Sequence, residues 1–230
     1  MRKISLIIPL LVIFSQLASA QTCSQFINSI NGKKFTYANQ NIQGNTMSTM
    51  VCNTSKKDAS TVAVHIELLD KTNKSMGSGD SEILCTGTSI RVDMKTFIPA
   101  SSLKQLGSMQ MTGDTKYLSY PMGLKAGQKL EDGALSINVA NNGQQMGQVL
   151  LNINNRKVEK AEKISTKAGS FDCFKITNDV ALNIKMMGMS LPFQIKIVEW
   201  FAPKLGRFAK SETYGKDGKL VATTMLEAIN

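Results

Sequence analysis

Between Thr61 and Leu68 the chain alternates: Val62, Val64, Ile66 and Leu68 are apolar, and Thr61, Ala63, His65 and Glu67 fall between them. Successive side chains of a strand point to opposite faces, so a period of two specifies a strand with one buried face and places His65 on the outer one. Phe193, Ile195 and Ile197 alternate likewise with Gln194 and Lys196, and Phe171 to Ile176 reads as another short strand. Turn chemistry separates the runs. Asn142-Gly143 divides Ile137-Asn138-Val139 from Val149-Leu150-Leu151, and Asp217-Gly218 divides Phe208 to Tyr214 from Leu220 to Leu226. Both dipeptides accept the positive φ angles of a tight hairpin. Lys71 to Asp80, with Asn73, Gly77 and Gly79, is expected to form a longer hairpin tip.

Helix signals are sparse. Ser24 to Ile30 has the makings of a short N-terminal helix, and Ala100 to Leu106, after Pro99, of a second. No fixed-period repeat, low-complexity tract or Pro-rich linker interrupts the chain. The expected fold is all-β or mainly β, an antiparallel meander curled into a half-barrel, barrel or sandwich with one or two short helices.

The N-terminus reads as an export signal. Arg2 and Lys3 precede an apolar run from Ile4 to Phe14, and Ala18-Ser19-Ala20 supplies small residues at a cleavage site. A signal peptide is therefore expected over residues 1–20 and a single exported β domain over 21–230, in the periplasm or outside a bacterial cell. The apolar run is shorter than the ~20 residues needed to cross a bilayer, so no transmembrane segment is expected in the mature chain. Thr22 before Cys23 fits lipidation poorly, which leaves Cys23 as a disulfide partner. Cys23, Cys52, Cys85 and Cys173 form an even set without a C-x-x-C spacing. In an oxidising compartment two disulfides are the default. Four cysteines allow three connectivities, and Cys23 with Cys52 and Cys85 with Cys173 is the pairing favoured here, because it ties down the N-terminus and closes a long loop.

Removing Arg2 and Lys3 from 27 basic residues leaves 25 against 17 acidic ones, a net charge of +8. That charge is dispersed, with Lys33-Lys34 and Lys56-Lys57 as the tightest pairs and Arg91, Arg156 and Arg207 as the remaining guanidinium groups. Nucleic-acid surfaces cluster Arg and Lys among stacking aromatics, so no nucleic-acid partner is expected. A weak, peripheral contact with anionic membrane surfaces is compatible with this charge.

Catalytic motifs are missing: the chain has no G-x-S-x-G, H-E-x-x-H, Walker loop or dinucleotide fingerprint, and a triad would have to use His65, its single histidine. Glu131 with Asp132, and Glu67 with Asp70, are the acidic pairs on which a carboxylate hydrolase would have to rest. Such pairs are common by chance. Met47 with Met50, Met109 with Met111, and Met186-Met187-Gly188-Met189 offer thioethers of the kind that bind Cu(I). Methionine more often fills irregular cores and adaptable surfaces, and pairs such as Met109/Met111 and Met187/Met189 share one face of a strand. Met109, Met111, Met187, Met189 and Trp200 are accordingly the expected lining for a hydrophobic ligand, with no metal, cofactor or catalytic residue assigned.

The most distinctive text lies in the second half. Tyr120-Pro121 leads to Gly127-Gln128-Lys129-Leu130-Glu131-Asp132-Gly133, followed by Asn155-Arg156-Lys157-Val158, Ala168-Gly169-Ser170-Phe171-Asp172-Cys173 and Glu199-Trp200-Phe201-Ala202-Pro203, then Lys210-Ser211-Glu212. In this order the segments resemble the TapB-like family of exported bacterial domains of unknown function. The sequence departs from that pattern at Lys167, where Pro often stands, and at Arg207, where an aliphatic residue is usual. The resemblance implies an envelope-associated antiparallel β domain, similar to the half-barrels of periplasmic lipoprotein carriers, with no catalytic residues to carry over. The functional expectation is a non-catalytic envelope protein that holds a hydrophobic small molecule or a segment of an envelope protein in the concave face of its sheet.

Overall fold

The computed structural model describes residues 23–98, 110–186 and 188–230. The expected signal peptide, the expected helix at Ala100 to Leu106, Met109 and Met187 lie outside the described residues. The described chain starts with helix α1 (Cys23–Ile30) and continues through β1 (Lys34–Asn41), β2 (Thr46–Lys56), β3 (Thr61–Asp70), β4 (Ser75–Cys85) and β5 (Ser89–Asp93). A short 3-10 turn (Met94–Phe97) follows. Then come β6 (Gln110–Thr112), β7 (Tyr117–Pro121), β8 (Gly133–Asn141), β9 (Gln144–Thr166), β10 (Gly169–Met186), β11 (Met189–Ala202), β12 (Arg207–Tyr214) and β13 (Leu220–Ile229).

The described strands form one antiparallel sheet in the order β6-β8-β9-β10-β11-β12-β13-β1-β2-β3-β4-β5-β7. It is the expected meander with β6 and β7 exchanged between its edges. The strand order takes the chain from one edge to the other three times, from β5 to β6, β6 to β7 and β7 to β8, and the sheet curls almost into a barrel. The β7–β8 connection lies along β9, where Leu130 donates its amide to the Arg156 carbonyl at 2.9 Å and Gly127 donates to Val158 at 2.7 Å. Inward-facing residues such as Val62, Val64, Leu118, Ile137, Leu151, Ile176 and Leu182 fill one core.

Antiparallel order sets the polarity of this half-barrel. The β2–β3, β4–β5, β9–β10 and β11–β12 connections gather at one end, and the β1–β2, β3–β4, β8–β9, β10–β11 and β12–β13 turns at the other. Helix α1 closes the first end. Its Phe26, Ile27 and Ile30 are buried, Thr54 donates its hydroxyl to the Ile30 carbonyl, and Cys23 is bonded to Cys85 at the end of β4. Among the described residues the other end carries no α-helix; the 3-10 turn Met94–Phe97 follows β5 there, with Met94 buried.

The cysteine pairing differs from expectation. Cys23 bonds Cys85, a sequence separation of 62, and Cys52 and Cys173 are buried thiols. The reason is topological: Cys52 packs in the main core, whereas Cys173 belongs to a second cluster with Val198, Trp200, Ala202 and Ala209. The hairpin tip is also shorter than expected at 71–74, because the Asp70 carboxylate accepts from the amides of Thr72 (2.8 Å) and Lys74 (2.9 Å) and closes the turn locally.

Candidate functional site

A β-bulge positions the first inward-facing charge. Between the pairs Thr177↔Lys157 and Asp179↔Asn154, two residues of β9, Asn155 and Arg156, face the single Asn178 of β10. Asn155 takes a positive φ of 53°, and the extra residue turns Arg156 into the core, where it is 1% exposed. Its Nη1 donates to the carbonyls of Glu131 (2.7 Å) and Ser119 (3.2 Å), its Nε donates to Asn178 (3.3 Å), and its guanidinium lies 4.8 Å from the centre of the Tyr120 ring. Glu199 of β11 completes the group, accepting from Tyr120 at 2.9 Å and from Asn178 at 3.4 Å. Burial raises the Glu199 carboxyl above its ordinary range, opposed by the charge of Arg156 and by the bonds from Tyr120 and Asn178. Tyr120 also stacks on Phe201 with ring centres 4.0 Å apart. Four strands, β7, β9, β10 and β11, are thereby joined across the interior.

Beside this network lies a cavity of about 70 Å³, with Met50, Ile66, Val92 and Phe97 on its apolar side and Ser81, Glu199 and Arg207 among its polar groups. Arg207, the first residue of β12, sits over the Phe35 ring at 4.5 Å and near Tyr37 at 5.7 Å. It stays a guanidinium: burial opposes its charge, but Tyr37 and Cys52 more than offset that and raise its pKa further. A cavity this small is well below the volume of a typical ligand pocket. Away from α1 the strands run on to the opposite end of the sheet.

That end carries an unusual set of side chains. Ile42, Met47, Met189, Leu191, Phe193, Leu220 and Val221 are the large apolar residues exposed among the described ones, and every one lies at or next to a turn of the open end or on the stretch of β11 nearest it. β11 is paired with β12 only from Lys196 onward, so residues 189–195 form a free edge that projects past its neighbour. Leu191 and Phe193 lie directly opposite Ile184 and Leu182 of the core, and directly opposite residues share a face. They continue the concave face outward, yet they are 49% and 52% exposed. Pro192 sits between them and, lacking an amide hydrogen, disfavours addition of a further strand along this edge. Side-chain contact is what the edge offers.

A larger open groove, about 1070 Å³, runs along β9, β10 and β11 towards the β12–β13 turn. Its walls include Lys160, Lys175, Lys196 and Lys216 with Glu159 and Asp179. This charged surface is solvated and suits an apolar ligand poorly.

Of the expected lining residues, the two whose side chains are described, Met189 and Trp200, stand apart. Met189 stands at the open rim, 66% exposed and opposite Met186, while Met111 belongs to β6, paired with Val139. Trp200 is 5% exposed in the second cluster, where its Nε1 donates to Glu162 at 2.7 Å and the amines of Lys210 and Lys175 lie 4.5 and 5.2 Å from its ring. Strand alternation turns it away from Glu199 and the cavity. Among the methionines of the other proposed clusters, Met50 lines the cavity and Met47 is exposed on the rim. Glu131 and Asp132 are exposed in the loop before β8. Sequence reasoning missed Arg156, Asn178 and Glu199 as a buried group, although Tyr120, Arg156 and Glu199 each stood in a segment singled out for its distinctive text.

A DUF3108-like family model matches residues 30–226, most of the chain. The chain belongs to the DUF3108-like family. Two solved structures share the family member's fold. A candidate lipoprotein of Parabacteroides distasonis aligns with a TM-score of 0.74 and 20% identity over 91% of this chain and 100% of its own. A candidate exported protein of Bacteroides fragilis with a YmcC-like fold gives a TM-score of 0.68 and 20% identity over 87% of this chain and 96% of its own. Comparison with curated proteins finds no match. Among the described residues of this family member, no helix is long and apolar enough to cross a membrane.

Proposed function

We propose that the protein is a non-catalytic envelope protein that holds an apolar chain on the concave face at the open end of its half-barrel. The observation that carries this reading is the segregation of exposed apolar side chains to that one end, with Leu191 and Phe193 extending the core face into solvent. Isolated exposed apolar residues are ordinary, but a set confined to one rim marks a surface that is covered in use. The opposite end is sealed by α1 and a disulfide, so entry is directed to the rim. Export to the periplasm or the cell exterior is supported by the leader sequence, by the Cys23–Cys85 bond, which persists in oxidising compartments, and by the descriptions of the two structural relatives, one as a lipoprotein and the other as an exported protein. The ordered Tyr-Pro, Ala-Gly-x-Phe-Asp-Cys and Glu-Trp-x-Ala-Pro segments support a TapB-like reading of the chain. The test is native mass spectrometry of the purified protein before and after lipid extraction, followed by incubation with dodecanol. A bound apolar molecule, or uptake of dodecanol by the stripped protein, is expected. A bare chain that takes up none would overturn the reading.

A further inference from the structure

Arg207 carries a charge that the described interior leaves unanswered. It forms no ion pair among the described residues, and its Nη1 is buried without a hydrogen-bond partner. Its neighbours are two aromatic rings and the Cys52 thiol, which hydrogen-bonds to it. Glu199, the carboxylate lining the same cavity, takes the Tyr120 and Asn178 bonds on its Oε1 and forms no ion pair with Arg207. Arginine cannot discharge itself by losing a proton, and although the residue as a whole is half-buried, its Nη1 is held out of water with no acceptor, which is costly. A second orphan faces the same space: Ser81 Oγ is buried without a partner and also lines the cavity. Two donors without acceptors thus border one void. Water would satisfy their hydrogen bonds without neutralising the guanidinium, whereas an anionic oxygen does both.

The rest of the cavity limits what can carry that oxygen. Met50, Ile66, Val92 and Phe97 are half-buried and apolar, and Met50 lies on the open-end side of Cys52 along β2. At about 70 Å³ the cavity is far below the size of a typical ligand pocket, so it suits a compact head group and not a whole ligand. We propose that Arg207 and Ser81 form an anion subsite for the carboxylate of a fatty-acid-like ligand, whose acyl chain leaves past Met50, Ile66, Val92 and Phe97 towards the rim. The assignment rests on the apolar-chain reading above and adds the head group to it.

The test is isothermal titration of the full mature protein, stripped of lipid, with dodecanoate, dodecanol and dodecyl phosphate below their aggregation concentrations. Dodecanoate is expected to bind at least ~10-fold tighter than dodecanol, the range of a charge-assisted hydrogen bond. Arg207→Met should remove that difference while dodecanol binding persists, and Ser81→Ala should narrow it. Equal affinities of dodecanoate and dodecanol for the unaltered protein would overturn the anion subsite and leave the apolar site standing. No binding of either would overturn both. Tighter binding of dodecyl phosphate than of dodecanoate would overturn the carboxylate assignment. Because the comparison of the three ligands is made first on the unaltered protein, a misfolded variant does not decide the outcome.

Discussion

The hydroxyl of Tyr120 donates to Oε1 of Glu199 at 2.9 Å, joining β7 to β11 across a sequence separation of 79. β7 is an edge strand paired only with β5, so this bond, together with the Arg156 bond to the Ser119 carbonyl, ties a sheet edge to the opposite wall. Tyr120→Phe keeps the stack on Phe201 and deletes the donor. A loss of about 1–3 kcal/mol in urea unfolding is expected, the range for leaving a buried acceptor short of a partner. An unchanged unfolding midpoint would show that the edge is held by other contacts.

Glu199 also sets a pH dependence. Its folded-state pKa lies above the ordinary 4.5, chiefly through burial, so between 4.5 and that raised value the native state binds more protons than the unfolded one. The stability this group contributes is full below pH 4.5 and is lost as pH rises through its folded pKa. Glu199→Gln cannot ionise and should flatten this component of the curve above pH 4.5, measured as unfolding free energy against pH. An identical profile in the variant would exclude Glu199 as its source.

Thiol counting separates the observed cysteine state from the two-disulfide alternative. Two thiols per chain should react in denaturant and almost none in native protein, since Cys52 and Cys173 are buried and burial pushes the Cys173 thiol up to about 11. Cys23→Ser with Cys85→Ser should cost about 2–4 kcal/mol, as expected for opening a loop of this order. Zero thiols after denaturation would indicate a second disulfide.

Gly206 is where the helix meets the β11–β12 turn. Its φ is +63°, and a Cβ there would stand 2.5 Å from Phe26 Cζ. Gly206→Ala therefore combines backbone strain with displacement of the plug and should destabilise by roughly 1–3 kcal/mol. Calorimetry showing no shift in Tm would mean that α1 moves aside freely.

The strands, the tight turns and the first helix were legible because period-two alternation, Asn-Gly and Asp-Gly dipeptides and the apolar spacing of Phe26, Ile27 and Ile30 act locally. The exchange of β6 and β7 between edges was not, since it depends on edge contacts between segments far apart in sequence. Trp200 shows the same limit at the site. Its size marks a buried residue, but alternation alone leaves open which face is concave, and one register step separates the second cluster from the cavity that Glu199 lines. Arg156 and Arg207 looked like dispersed surface charge because a bulge and a strand start decide their direction.

Replacing Leu191 and Phe193 together by serine tests the apolar rim most directly. Both are about half exposed and lie on a free edge, so the double variant should unfold within about 0.5 kcal/mol of the unaltered protein. Dodecanol titrated into each, followed by calorimetry, is expected to bind the unaltered protein and to bind the variant at least ~10-fold more weakly, the loss of about 1.4 kcal/mol of apolar contact. Equal dodecanol affinities in two equally stable proteins would contradict a ligand site at the open end.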